Sequence, residues 1–189
     1  MSSHRPIVIT GFMGCGKTEV AGYLAKRLNV GMVDLDELIT QTVGRSPAKL
    51  INEEGEPAFR VIETSALDQL LKQRSLGVIA LGGGAWIESQ NRVLIEQCKA
   101  ISVFLDTLFE VCWSRIETSS EDRPLGRTKT EASELYQLRR PIYQLANICV
   151  TANVNDNPDF LASRIQVEIA QQESLLTHTP TAYTRESCN

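Results

Sequence analysis

The sequence predicts an α/β fold in which a parallel sheet is covered by helices on both faces. Three observations carry this reading. Short apolar runs rich in β-branched residues alternate with stretches whose apolar residues recur every three or four positions. The runs are apolar throughout, as strands buried on both faces require. A glycine-rich turn follows the first run and opens the first helical stretch, the strand–loop–helix order of an α/β unit.

Residues 7–10 (IVIT) form the first strand, and after the turn Val20, Leu24 and Leu28 lie at four-residue spacing on a helix. Met32, Val33 and Asp34 make a second short strand, leading into Leu35, Leu38 and Ile39 at helical spacing. Pro57 suits the first turn of another helix, where its missing N–H leaves no bond unmade. Phe59, Ile62, Ala66, Leu67, Leu70 and Leu71 continue that helix's apolar face. Residues 77–81 (GVIAL) and 100–105 (AISVFL) are strands by length, β-branching and turn boundaries. Residues 148–151 are the last strand, and Phe160, Ile165 and Ile169 mark a closing helix. Residues 118–130 (TSSEDRPLGRTKT) lack an apolar period and contain Pro and Gly, which predicts a mobile loop. The polar, threonine-rich stretch 174–189 predicts a disordered tail.

Composition bounds the function. A chain of 189 residues, 42% hydrophobic and 22% charged, can bury one substantial core and is neither disordered nor fibrous. Nineteen basic against 23 acidic side chains, a net charge of -4, do not supply the positive field of a general nucleic-acid binder. Five cysteines, at positions 15, 98, 112, 149 and 188, form no CxxC pair, and the two histidines lie near the ends, so a zinc site is not expected. An odd cysteine count without a signal peptide fits reduced thiols in the cytoplasm. No uncharged apolar run reaches membrane-spanning length.

Residues 11–18 (GFMGCGKT) fit GxxxxGK[ST] between a predicted strand and a predicted helix, the context that makes this motif credible. Glycines let successive N–H groups turn inward, and the helix N-terminus adds partial positive charge. A nucleotide β-phosphate fits that concavity, Lys17 can reach the β- and γ-phosphates, and the Thr18 hydroxyl can ligate Mg²⁺. Cys15 is filler in the loop's backbone.

The acceptor side is less explicit. Asp34 and Asp36 flank Leu35 at the end of the second strand, and if the chain is still extended there both carboxylates share a face. One could then support magnesium while the other takes a hydroxyl proton. Equally, Asp34, Asp36 and Glu37 suit a helix N-cap with an acidic first turn. Arg60 lies between acids four residues before and three after it. That pattern fits a salt-bridged helix face as well as an arginine oriented toward a substrate carboxylate. Gly82, Gly83 and Gly84 after a strand allow close backbone approach of a ligand. Arg123 and Arg127 in the polar loop, and Arg139 and Arg140 before Pro141, are further candidate cations. Arginines on a closing loop place charge where a phosphoryl transition state develops it.

In order, GFMGCGKT, DLDELI, GEPAFRVIE, ALGGG, DRPL and RRPIY resemble the shikimate kinase family over most of residues 7–173, GExxFRxxE followed by GGG being the specific part. The resemblance implies a three-layer P-loop kinase fold of the nucleoside monophosphate kinase type, with a five-stranded parallel sheet. It implies one domain over 5–173, with a substrate-binding segment at 35–64 and a lid at 118–130. It also implies ATP-dependent phosphorylation of the shikimate 3-hydroxyl, with Mg²⁺; composition and the lack of a visible oligomerisation segment add the expectation of a cytoplasmic monomer that needs neither nucleic acid nor membrane.

Carried over by motif, Lys17 and Arg123 would neutralise the transferring phosphate. Gly14, Cys15, Gly16, Lys17, Thr18 and Glu19 would surround the nucleotide, with Arg115 along the adenine. Thr18 and Asp34 would serve the metal. Asp36, Arg60, Gly82, Gly83 and Arg139 would hold shikimate, Asp36 also taking the proton. The chain departs from the family pattern at Ala21-Gly22, in an extra lid residue before Arg123, and in a segment after Arg139 that is one residue short. That last difference makes Arg140 an alternative to Arg139. A gluconate or nucleotide kinase, or an inactive nucleotide-binding module, would share the P-loop.

Overall fold

The structure is a computed structural model and describes residues 5–73, 77–119 and 124–177. The first half runs β1 (Ile7–Thr10), α1 (Lys17–Leu28), β2 (Met32–Asp34), α2 (Leu35–Val43), α3 (Pro47–Glu54), α4 (Glu56–Leu71) and β3 (Val78–Ala80). The second continues with α5 (Ser89–Gln97), β4 (Ile101–Thr107), α6 (Phe109–Thr118), α7 (Lys129–Tyr143), β5 (Ile148–Ala152) and α8 (Pro158–Thr177). All strands are parallel, in the order β2-β3-β1-β4-β5.

The chain leaves β1 to build β2 and β3 on one side, then returns to build β4 and β5 on the other. The crevice beyond the carboxyl end of β1 is therefore the switch point where open α/β sheets take their ligands. Every residue of β1 is buried, and all of β4 except Asp106, so the central strands are covered on both faces. The helices that cover them pack in two groups, α1 with α8 and α4 with α5. No helix among the described residues is long and apolar enough to cross a membrane.

The expected strands are present, with ends shifted by a residue or two. Four helices were not individually foreseen. In α7 the buried stripe is Ala132, Tyr136, Arg139 and Tyr143, at helical spacing but interrupted by an arginine that hides the period. The helix α5 buries only Asn91 and Ile95, and α3 only Leu50. The helix α6 buries Cys112 and Ile116, again too narrow a stripe to stand out.

The expected loop at 118–130 is shorter than its sequence suggested. Thr118 ends α6, and a capping box between Thr128 and Glu131 starts α7. Residues 120–123, which include Arg123, lie outside the described residues. The closing helix extends to Thr177, so 174–177 are helical instead of tail, while 178–189 lie outside the described residues. Its apolar face is Leu161, Ala162, Ile165 and Ile169. Phe160 was expected there but is 48% exposed, with the Arg164 guanidinium over its ring.

Gly77 is fixed by contact. Its carbonyl accepts from Ile7 N at 2.9 Å, and the next N–H, that of Val78, donates to Gly31 O at 2.9 Å. A Cβ on Gly77 would run into the Gly31 carbonyl and lie 2.7 Å from Val30 Cγ2. Gly77→Ala is therefore expected to separate β3 from the turn before β2. The expected loss is about 1–3 kcal/mol of stability, read as a lower urea midpoint with an unchanged slope.

Candidate active site

The P-loop is built from three positive-φ glycines: Gly11 (φ 148°), Gly14 (φ 74°) and Gly16 (φ 99°). A Cβ on Gly14 would also lie 2.6 Å from the Cys112 carbonyl oxygen, so both conformation and space demand glycine there. Gly16 caps α1 with no side-chain hydrogen bond, leaving the first-turn N–H groups directed at the loop. Lys17 is buried beneath the loop, its Nζ donating to Gly11 O at 3.0 Å and Phe12 O at 2.9 Å. Cys15 is 2% exposed and turned inward, where its Sγ accepts from Lys17 Nζ at 3.8 Å, so it is more than backbone filler. Arg115 on α6 donates to Gly14 O at 3.2 Å, which sets its guanidinium on the rim of the loop.

Asp34 makes contacts with both of its carboxylate oxygens. It is the N-cap of α2, its Oδ1 accepting from Asp36 N at 3.0 Å and Glu37 N at 3.2 Å. Its Oδ2 accepts from Thr18 Oγ1 at 2.7 Å. The extended-chain premise for Asp34 and Asp36 fails, because this cap begins the helix at Leu35. Both carboxylates nevertheless line one cleft of about 990 Å³, together with Gly14, Gly16, Lys17, Thr18, Glu19 and Arg115.

The other half of the cleft is lined by Arg60, Glu63, Gly82, Gly83, Gly84 and Arg139. Arg60, its side chain 12% exposed, donates through Nη2 to Glu56 Oε1 at 2.6 Å and through Nη1 to Glu63 Oε2 at 2.7 Å. Burial works against its charge, but the two acids outweigh it and its pKa lies above the ordinary arginine value. Arg60 is thus part of a salt-bridged helix face, and it also lines the cleft.

The three glycines make room first for the protein's own side chains. A Cβ on Gly84 would collide with the Arg60 guanidinium, and one on Gly82 would lie 2.5 Å from Asp36 Oδ1 and 3.1 Å from Glu63 Oε1. Gly83 faces the P-loop, where a Cβ would lie 3.3 Å from Met13 N. The Gly83 carbonyl accepts from the Tyr143 hydroxyl and, at 3.4 Å, from Arg139 Nη1.

Arg139 and Arg140 diverge. Arg139 is 8% exposed and faces the cleft, with Nη2 3.7 Å from Glu56 Oε1. Arg140 turns toward β4 and binds Asp106 through both Nε (3.1 Å) and Nη2 (2.7 Å). Tyr143 is the site residue that sequence reasoning missed. Its spacing of four from Arg139 on one helix face was the available signal. Burial pushes its hydroxyl pKa well up, so it acts as a neutral donor.

Glu63 was noticed only as a neighbour of Arg60. Its side chain is 1% exposed, and Oε1 has no hydrogen-bond partner among the described residues. Burial pushes its carboxyl up to about 7; Arg60 opposes the shift, while Asp36 and Glu88 add to it.

A phosphate loop followed by an acid-bearing strand end, beside a second half lined by arginines and glycines, defines a small-molecule P-loop kinase. The sequence profile of shikimate kinase matches residues 13–170. The chain belongs to the shikimate kinase family. A shikimate kinase from Ruegeria pomeroyi is 31% identical over 92% of this chain and 89% of its own length. One from Streptococcus thermophilus is 35% identical over 84% and 97%. Among solved structures, the shikimate kinase from Acinetobacter baumannii in complex with shikimate superposes with a TM-score of 0.83 at 30% identity, covering 90% of this chain and 96% of that one. A gluconokinase from Sinorhizobium meliloti shares the fold, with a TM-score of 0.62 at 16% identity over 94% of this chain and all of that one.

Glu63 also links the site to pH. Its folded-state pKa, raised from 4.5 to about 7, means that the folded chain holds this proton more tightly than the unfolded chain does. Stability is then lost as pH rises from about 4.5 through 7. Glu63→Gln removes that titration, so the stability difference, wild type minus variant, should fall by roughly 1–3 kcal/mol between pH 5 and 7.5. Urea denaturation across this range measures it. A difference that is constant or grows with pH would contradict the assignment.

Proposed function

We propose that the protein transfers the γ-phosphoryl group of ATP to the 3-hydroxyl of shikimate, giving 3-phosphoshikimate and ADP on the route to chorismate and the aromatic amino acids. The observation that carries this reading is the division of charge across the acceptor half of the cleft. Two low-exposure guanidiniums, Arg60 and Arg139, stand at one side, and the Asp36 carboxylate stands beside Gly82. Shikimate carries its carboxylate and the reacting 3-hydroxyl on separate carbons of one ring, in a 1,3 relation, so it needs cations for one group and a proton acceptor close by for the other.

Arg60 uses three of its donor directions on Glu56 and Glu63, so the carboxylates fix the plane of the fork and leave N–H groups for an incoming carboxylate. Arg139, held by longer contacts, can close on the same group. Asp36 would bind the acceptor hydroxyls and take the proton as the 3-oxygen attacks. Lys17 would exchange the carbonyls of Gly11 and Phe12 for the β- and γ-phosphates, with Arg123 adding charge from the lid. Arg115 on the P-loop rim would lie along the adenine.

Thr18 Oγ1 and Asp34 Oδ2, 2.7 Å apart, are hard oxygen donors of the kind magnesium accepts while keeping most of its waters. Thr18 would hold the ion and Asp34 would support it through water. When bound, Mg²⁺ supplies charge neutralisation at the β- and γ-oxygens. The reading extends to a cytoplasmic monomer with no nucleic-acid or membrane partner, in keeping with a net charge of -4.

A coupled ADP-release assay with shikimate, gluconate and nucleoside monophosphates as acceptors tests the proposal, and only shikimate should support turnover. Lys17→Ala should lower kcat by about 10²-fold or more at saturating ATP and magnesium. Turnover near wild type would sink the P-loop assignment. Arg139→Ala should leave ATP affinity alone and raise the shikimate KM by the equivalent of about 1.5–3 kcal/mol, the loss of a charged hydrogen bond. Asp36→Asn keeps the shape but weakens the base, and its kcat should fall by roughly 10²-fold. Wild-type constants in both acceptor-side variants would place the acceptor elsewhere.

A further inference from the structure

A second cleft, of about 650 Å³, lies at the amino ends of β4 and β5, between α5 and the turn that leads from α7 into β5. The active site occupies the opposite, carboxyl end of the sheet, so this cleft is separate from it. Its volume falls within the range of sites that hold small organic ligands, about 300–1,000 Å³.

Three cations line it. Arg5 precedes β1, Lys99 closes α5 in the left-handed conformation (φ 54°), and Arg92 lies on α5. One carboxylate, Glu96, stands among them, leaving an excess of positive charge in a protein whose net charge is -4. None of the four makes a salt bridge within 4.0 Å among the described residues, although Arg92 and Glu96 are four apart on one helix. Arg5 donates Nε to the Lys99 carbonyl at 2.7 Å, which orients its fork beside the lysine's backbone while using only that edge.

The remaining wall mixes apolar side chains with Ser102 and Asn147, whose polar atoms bond to each other, Ser102 Oγ donating to Asn147 Oδ1 at 2.9 Å. Trp86 is 3% exposed and anchored by Nε1 donating to Ile142 O at 2.9 Å. Leu145 is 62% exposed, an apolar side chain left at the cleft's mouth, and Ile95 forms part of the floor. Arg5 and Lys99, which leave donors unused among the described residues, beside an uncovered leucine and the small part of Trp86 that reaches the cleft, match a ligand with an anionic head and an apolar body.

We propose that this cleft is a second ligand site, taking a small carboxylate with a hydrocarbon ring or chain. The carboxylate meets Arg5 and Lys99, and the apolar body lies against Leu145, next to the largely buried Trp86. Arg92 is a positioning residue, since its Nη1 donates to Trp86 O at 2.6 Å and Ile87 O at 2.8 Å and so holds the indole's backbone in place.

The test is a titration of the full-length protein with benzoate, saturated with shikimate and ADP so that the active site is filled, with tryptophan fluorescence as readout. Saturable quenching is expected at millimolar benzoate or below, and it should vanish in Trp86→Phe, which leaves Trp113 as the only tryptophan. Arg5→Ala combined with Lys99→Ala should weaken binding by about 10-fold or more, the loss expected for charged hydrogen bonds. If that variant folds poorly, Lys99→Glu changes an exposed side chain alone and should weaken binding similarly. Inorganic phosphate and benzyl alcohol, each offering half of the chemistry, should bind at least 10-fold more weakly. The proposal is overturned by an absence of saturation up to about 20 mM, by charge variants that bind like wild type, by phosphate binding as well as benzoate, or by a signal that rising shikimate abolishes.

Discussion

A guanidinium with only 12% of its surface exposed must be paired, and the pairing of Arg60 with Glu56 and Glu63 organises the cleft around it. Breaking a buried pair of this kind typically costs about 3–5 kcal/mol, because the surviving charge is left without a partner. The arginine needs space, and Gly84 supplies it by having no Cβ. Glu63 in turn comes close to the backbone at Gly82, where Asp36 arrives from α2. Asp36 is set by the N-cap that Asp34 provides, and Asp34 is tied to Thr18 at the start of α1. A chain of contacts therefore runs from the acceptor end of the cleft to the phosphate loop. Each member constrains the next.

That continuity explains why the acceptor motifs are separated in sequence yet strict in residue type. GExxFRxxE puts both acids on the arginine's face of one helix, at the spacings where helical side chains meet. GGG belongs to another element, and its small residues are required by side chains arriving from α2 and α4. The Tyr143 hydroxyl and Arg139 then fasten α7 to the Gly83 carbonyl. Helices on three parts of the chain thus meet at one glycine-lined turn beyond β3.

The phosphate half of the site was legible because its chemistry is local: strand, loop, lysine, hydroxyl and helix lie within residues 7–28. The acceptor half depends on which way each side chain faces, and sequence constrains that only where a face is uniformly apolar. Arg139 and Arg140 are adjacent and chemically identical. The choice between them rests on a buried stripe that includes Tyr136 and Tyr143, and on Asp106 at the far end of β4 capturing Arg140. The same limit hid α3, α5 and α6, which bury one or two residues each. Asp34 shows the opposite case. Of its two sequence readings the N-cap is seen, made by Oδ1 alone, and Oδ2 is left to accept from Thr18.

The gluconokinase likeness, at 16% identity, sets the limit on what the fold alone can specify. A sheet with its switch point beyond β1 and a helix N-terminus behind a glycine loop provides for phosphates whatever the acceptor is. Discrimination among acceptors must come from groups that the fold does not require. In this chain the groups that the proposed reading assigns to that task are two arginines that share Glu56, with the Asp36 carboxylate beside Gly82. Arg60 and Arg139 already have anionic partners in Glu56 and Glu63, so an acceptor without a carboxylate would forgo their remaining donors without leaving either cation unpaired. What such an acceptor loses is charged hydrogen bonds, each worth about 1.5–3 kcal/mol, and that loss sets the discrimination.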